Sequence, residues 1–377
     1  YRFVVLFFNC LLTFGSYFCF DIPSVLQDQF QGVNCVLGLG MTPQQYNLLY
    51  AIYAWTNALV VILAGFLIDK LGNRFGVFLF SFLCVLGSSL FALGSHFKGT
   101  PYLLPLMLTG RLLFGSGNGS LTIVQNRITA FWFKGKELAL AFGLTLAFSR
   151  LGSVLNFFLT QKFEEKYEMQ WTLWGGAFLC VLGFLSAIVV STLDKVGIKQ
   201  LGLDGAIQEE SRKVVRIFSR PIFLILAFRF SMLCTAVIMT IFCLSPSKFI
   251  LDKFSGYSQE EAANVAGTIY ITALVFTTVA GCLIDFVGLR GVILLACTIL
   301  TLPVSAILAF TNISPLISTL WLGLAYSFVA VSTWPSIALV VPRATLGTAI
   351  GVTGAVSVAG TGISNLIIGS ILGTKNG

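Results

Sequence analysis

Three arginines stand inside long apolar stretches of this chain, at Arg111, Arg150 and Arg229. A guanidinium at mid-depth in a bilayer costs about 2.5–3.5 kcal/mol, so each must face a protein interior, an aqueous cavity or an anionic partner. Its planar, permanently charged fork suits a carboxylate, which it can hold through two parallel hydrogen bonds. Arg150 is best placed for that chemistry, because Lys136 and Lys162 mark the ends of its run and both are too distant for easy snorkelling. Beside it Thr145, Ser149, Ser153, Asn156 and Thr160 follow helical spacing and form a polar stripe. Arg111 shares a second stripe with Gly115, Asn118, Thr122 and Gln125, and suits helix packing and gating as readily as ligand binding. Arg229, close to Arg220, is within snorkelling reach of one surface.

Other candidate wall residues lie on neighbouring runs. Tyr46, Tyr50, Tyr53 and Asn57 recur at helical spacing, and phenols in a bilayer need partners, which favours a cavity wall at Tyr53 and Asn57. Trp334-Pro335 and Tyr326 form a candidate opposing wall, with Pro335 breaking a backbone hydrogen bond where only protein or water tolerates it. No carboxylate lies near mid-depth: Asp21 falls towards the outer end of its run, Glu137 starts one at a surface, and the sole histidine, His96, ends another. Proton-driven carriers normally need a titratable group on the pathway. The expectation is therefore facilitated diffusion or exchange of a carboxylate-bearing or otherwise anionic small molecule attracted to Arg150, with proton coupling through Asp21 as the alternative. Catalytic triads, metal-ligand spacings and phosphate loops do not occur, so neither an enzyme nor a cofactor is expected. Eight of the nine cysteines fall within apolar runs and read as small packing residues; only Cys35 sits in a polar connection.

The elements that position these residues are apolar runs at 3–28, 44–69, 75–96, 102–128, 137–161, 170–193, 218–244, 260–285, 290–311, 315–340 and 345–373. Each is long enough, at about 1.5 Å per residue, to cross roughly 30 Å of hydrocarbon. Composition agrees, with 56% hydrophobic against 10% charged residues and a mean hydropathy of +0.91. These values exclude an ordinary soluble domain and make the lipid bilayer a partner. The +8 charge does not point to nucleic acid, because its basic residues lie at the ends of apolar runs. The expected architecture is an all-α polytopic membrane protein: residues 1–193 form a six-helix bundle, 194–217 a cytosolic linker, and 218–377 a second bundle with five helices. A twelfth helix is expected beyond Gly377, and a chain that begins at Tyr1 without methionine reads as trimmed. Basic residues, among them Arg2, Lys70, Arg74, Lys134 and Arg290, gather on one side, which places the N-terminus in the cytosol.

A short charged turn occurs twice. Gly65, Asp69, Gly72 and Arg74 in the first half are matched at the same spacing by Gly281, Asp285, Gly288 and Arg290 in the second. The glycines allow helix ends to approach, and the carboxylate and guanidinium can pair with each other and with nearby helix termini. The repeat resembles the signature of the major facilitator superfamily, which implies two pseudo-symmetric six-helix bundles. Further segments, Phe14-Gly15-Ser16-Tyr17-Phe18-Cys19-Phe20-Asp21, Trp132-Phe133-Lys134-Gly135-Lys136-Glu137-Leu138 and Trp334-Pro335, resemble the major facilitator superfamily domain-containing protein 1 family. That resemblance implies a lysosomal dipeptide uniporter working with a glycosylated single-span accessory subunit. By position, Arg150 matches the arginine that would hold the peptide carboxylate. The acidic residue expected on the fourth helix falls at Gly119, beside Asn118, which offers hydrogen bonds in its place. That departure keeps two alternatives open, a small organic-anion carrier and a transporter-like membrane subunit that does not transport.

Overall fold

A computed structural model describes residues 1–26, 29–30, 38–135, 137–200, 202, 254, 256, 259–311, 313–342 and 345–358. The described residues build long helices with no strand among them. α1 spans Arg2–Val25, α2 Pro43–Leu71, α3 Asn73–Gly94 and α4 Leu103–Phe133. A helical run over Leu138–Gln200 is broken at Glu168, whose φ of 66° and ψ of 163° are not helical. Its arms, 138–167 and 169–200, are α5 and α6. The second half contributes α7 at Gln259–Val287, α8 at Arg290–Phe310, α9 at Pro315–Val340 and the short α10 at Leu346–Val358. Seven of the helical segments are long and apolar enough to cross a membrane.

Local sequence sets several of these ends. Thr42 caps α2 through a hydrogen bond from the Gln45 amide, and the Gln45 side chain returns one from the Thr42 amide, with Pro43 supplying the fixed φ of a first helical turn. Gly72 (φ +93°) and Gly288 (φ +73°) end α2 and α7 in backbone conformations that favour glycine. Large apolar side chains such as Trp55, Leu63, Phe78 and Phe178 are exposed on the helix flanks. Water would not tolerate so much apolar surface, whereas lipid matches it.

Inside the first bundle, small and polar residues hold the helices together, as membrane packing requires. α1 lies against α5 and α6 and α3 against α4, while α7 touches both α5 and α9. Asn9 donates to the Gln125 carbonyl (3.1 Å) and to Thr129 Oγ1 (2.9 Å), and Gln125 Nε2 returns bonds to the Asn9 carbonyl (2.7 Å) and Thr13 Oγ1 (2.9 Å). The expected polar stripe of α5 also faces α1: Thr145 contacts the Cys10 thiol and Ser149 shares a 3.1 Å hydrogen bond with Thr13. That stripe is therefore largely a helix seam. Hydroxyl, carboxamide and backbone partners satisfy Thr145, Ser149 and Thr160, whereas Ser153 Oγ and Asn156 Nδ2 are buried without hydrogen-bond partners among the described residues.

The seventh apolar run, 218–244, lies outside the described residues, as does most of the expected linker, and the eleventh run is described only as far as Val358. The helix of the sixth run continues to Gln200, past the expected start of the linker, because Asp194 is buried there and accepts a hydrogen bond from the Trp132 indole (3.1 Å).

Candidate functional site

Both signature turns reach across the molecule. Asp69, at the end of α2, accepts hydrogen bonds from the amides of Gly347 (2.9 Å) and Thr348 (2.7 Å) and from the Thr348 hydroxyl (2.7 Å). It thereby caps the N-terminus of α10, where four amides otherwise lack intrahelical partners and the helix dipole favours a carboxylate. Asp285, at the end of α7, does the same for α5, accepting from Ala139 (3.0 Å) and Leu140 (2.9 Å). Each half thus caps a helix of the other. Gly65 and Gly281 permit it: a Cβ at Gly65 would lie 2.5 Å from the Gly347 carbonyl oxygen, and one at Gly281 2.7 Å from that of Ala139.

The expected pairing inside each turn holds for one copy. Arg290 meets Asp285 at 2.8 Å. Asp69 instead pairs with Arg127 of α4 at 3.0 Å, and Arg127 also donates to the Ile68 carbonyl (2.7 Å). A guanidinium rising from α4 reaches the α2 terminus and occupies the place the sequence suggested for Arg74.

Deeper in the span, Arg150 crosses from α5 to the second half. Its Nη2 donates to the Tyr326 hydroxyl of α9 (2.5 Å), and its guanidinium carbon lies 5.2 Å and 5.5 Å from the ring centres of Tyr326 and Tyr270, the latter on α7. Tyr270 in turn stacks on Phe157, two turns along α5, with ring centres 6.3 Å apart. From α1, Tyr17 and Asp21 interact electrostatically with Arg150. Arg150, Tyr17, Asp21, Tyr270 and Tyr326 are all half-buried and form one polar cluster between the halves. Among the described residues Arg150 makes no ion pair. The sequence pointed to Arg150 and Tyr326 but missed Tyr17 and Tyr270. Tyr17 sits in an aromatic-rich stretch that reads as packing, though its i, i+4 relation to Asp21 is a signal; nothing local marks Tyr270.

The other candidates divide. Asn118 donates to the Tyr53 hydroxyl (2.8 Å), so these two expected wall residues do meet. Asn57 lies beside Gly119, where an added Cβ would collide with its amide oxygen. The Oδ1 atoms of Asn57 and Asn118 are buried without hydrogen-bond partners among the described residues. Arg111 is 3% exposed and lies in an aromatic cage, its guanidinium carbon 4.7 Å from the Phe91 ring centre and 5.6 Å from that of Tyr50. The adjoining cavity of about 20 Å³, lined by Cys19, Ser88 and Phe114 among others, has room for about one water. That burial favours the packing role of Arg111. Tyr46 is likewise structural, donating to the Pro23 carbonyl (2.9 Å). Trp334 packs half-buried against the main apolar core, and Arg229 lies outside the described residues.

Two sets of membrane helices, capped reciprocally at one face and meeting around a guanidinium deeper in the span, define a transporter of the two-bundle kind. The profile of the Major Facilitator Superfamily matches residues 3–252, and the chain belongs to that superfamily. It is 34% identical over 388 residues to the lysosomal dipeptide transporter MFSD1 of Bos taurus, covering 100% of this chain and 80% of that protein. The Homo sapiens MFSD1 is 34% identical with 100% and 81% covered, and the Danio rerio MFSD1 32% over 391 residues with the same coverage. Among solved structures, the proton:xylose symporter XylE bound to 6-bromo-6-deoxy-D-glucose superposes with a TM-score of 0.74 at 13% identity, covering 97% of this chain and 87% of that one. The human organic anion transporter MFSD10 (TETRAN) gives 0.69 at 17% identity, with 97% and 91% covered. These two likenesses establish the fold.

Proposed function

We propose that this chain is a lysosomal dipeptide transporter that works as a uniporter by alternating access, with its N-terminus and signature turns on the cytosolic side. The observation that carries the reading is Arg150, a half-buried guanidinium donating across the seam between the halves to Tyr326. A carboxylate entering there would replace part of the phenol's bond with a charge-assisted pair, and bound solute would engage both halves at once. Such contact is what lets a solute bias the rocking of one half against the other. Identity to the MFSD1 proteins over the whole chain supports dipeptides as the class of solute and the lysosome as the compartment. Asn118, Tyr53 and Asn57 would supply hydrogen bonds to the peptide unit.

A thermal-shift measurement on the detergent-solubilised protein tests this. Millimolar dipeptide should raise the melting temperature of the wild type and leave that of Arg150→Ala unmoved, because only a ligand that binds the folded state stabilises it. An equal rise in both proteins would remove Arg150 from the site.

A further inference from the structure

We infer that Asp21 receives the cationic amino end of the solute whose carboxylate Arg150 holds, so that the chamber selects zwitterions. This rests on the transporter reading above. Cys10, Thr13, Tyr17 and Asp21 follow one helical stripe on α1, and its first two members contact Thr145 and Ser149 of α5. The two helices run parallel in register, since an added Cβ at Gly152 would lie 2.6 Å from the Phe14 carbonyl oxygen. Continuing that register puts the Asp21 backbone about two turns beyond the level of Arg150 along the same seam, and its carboxyl reaches back towards Ser153, one turn beyond Arg150 on α5. The Arg150 guanidinium carbon lies 5.5 Å from the ring centre of Tyr270, whose ring stacks on Phe157 of α5 at the backbone level of Asp21.

Charge and burial argue the same way. Asp21 interacts electrostatically with Arg150 and Arg111, yet among the described residues it forms no ion pair. Arg150 rests on the Tyr326 hydroxyl and Asp21 lies beside Ser153, neutral neighbours that leave both opposite charges without an ion pair, and a solute with an amino group at one end and a carboxylate at the other satisfies both. Position 119 offers no alternative acid, being glycine packed on Asn57. Asp21 is thus the described carboxylate that can meet an ammonium here, and it answers the absence of an acid from α4.

The test is the selectivity ratio in proteoliposomes. Uptake of labelled alanyl-alanine is compared with that of N-acetyl-alanyl-alanine, which keeps the carboxylate and lacks the cation, for the wild type, Asp21→Asn, Asp21→Glu and Arg150→Ala. The wild type should favour the free amine at least tenfold, Asp21→Asn should bring the ratio close to one, and Asp21→Glu should restore most of it. Because a ratio is read, partial loss of folded protein cancels. An unchanged ratio in Asp21→Asn overturns the inference, and so does an equal loss of both probes in Asp21→Asn and Asp21→Glu, which would mark a structural role. A kept ratio with loss only of accumulation driven by a pH gradient overturns it in favour of a proton carrier. In each of those cases loss of both probes in Arg150→Ala leaves the transporter reading standing; no uptake by folded wild type removes that reading and the inference with it.

Discussion

At the scale of single residues, the proposed site turns on the guanidinium of Arg150 and on the missing side chain at Gly119. Lysine keeps the charge of Arg150 but loses the planar fork that can meet both Tyr326 and a carboxylate. Arg150→Lys should therefore retain weak transport, with kcat/KM lowered about tenfold or more, whereas Arg150→Ala should lose it entirely; initial uptake rates distinguish the two. Gly119 gives the opposite kind of prediction. Its added Cβ meets the Asn57 amide oxygen, so Gly119→Ala should lower the melting temperature, and Asn57→Ala in the same chain should recover most of the loss. Additive losses in that double-mutant cycle would show that the two positions do not share the space. Arg150 was legible because a mid-span arginine is costly wherever it stands. Tyr270 was not, because it arrives from the second half through packing that no local spacing encodes.

Among the elements, polar residues do two separate jobs that look alike in the sequence. The α4 stripe runs from Arg111 to Gln125, and its lower end is a rivet between α1 and α4. Gln125→Leu leaves the Asn9 carbonyl without its donor and should cost about 1 kcal/mol of stability, the scale of interhelical hydrogen bonds in membranes, with solute selectivity unchanged. Denaturation of the purified variant measures the first and relative uptake of two dipeptides the second. Both stripes were legible as interior faces, but spacing alone cannot say whether an interior face meets another helix or a cavity. The signature turns were legible as a pair for a different reason: repetition marks symmetry. Their partners were not, since Asp69 finds α10 and Arg127, and Asp285 finds α5, only once the halves are assembled.

For the whole molecule, reciprocal capping means that one face is held shut by two equivalent contacts, α2 with α10 and α7 with α5. Removing both carboxylates should shift the population away from this arrangement. Asp69→Asn with Asp285→Asn should increase the labelling of single cysteines placed between α2 and α10 by a membrane-impermeant thiol reagent, several-fold over the same cysteines in the wild type. Unchanged labelling would mean that the glycine contacts alone hold that face. All-helical architecture and membrane class were legible because hydrophobic length and the repeated turn are properties of the chain itself; the contacts at that face are a property of how the halves meet.

The central claim, that a carboxylate-bearing solute crosses by way of Arg150 without proton drive, is tested most directly by uptake of labelled dipeptide into proteoliposomes at symmetrical pH and under an imposed pH gradient, with the wild type beside Arg150→Ala. The account predicts uptake by the wild type that comes to equal concentrations on both sides whether or not the gradient is present, and none by Arg150→Ala. Accumulation above equilibrium that collapses with the gradient, or undiminished uptake by Arg150→Ala, would contradict it.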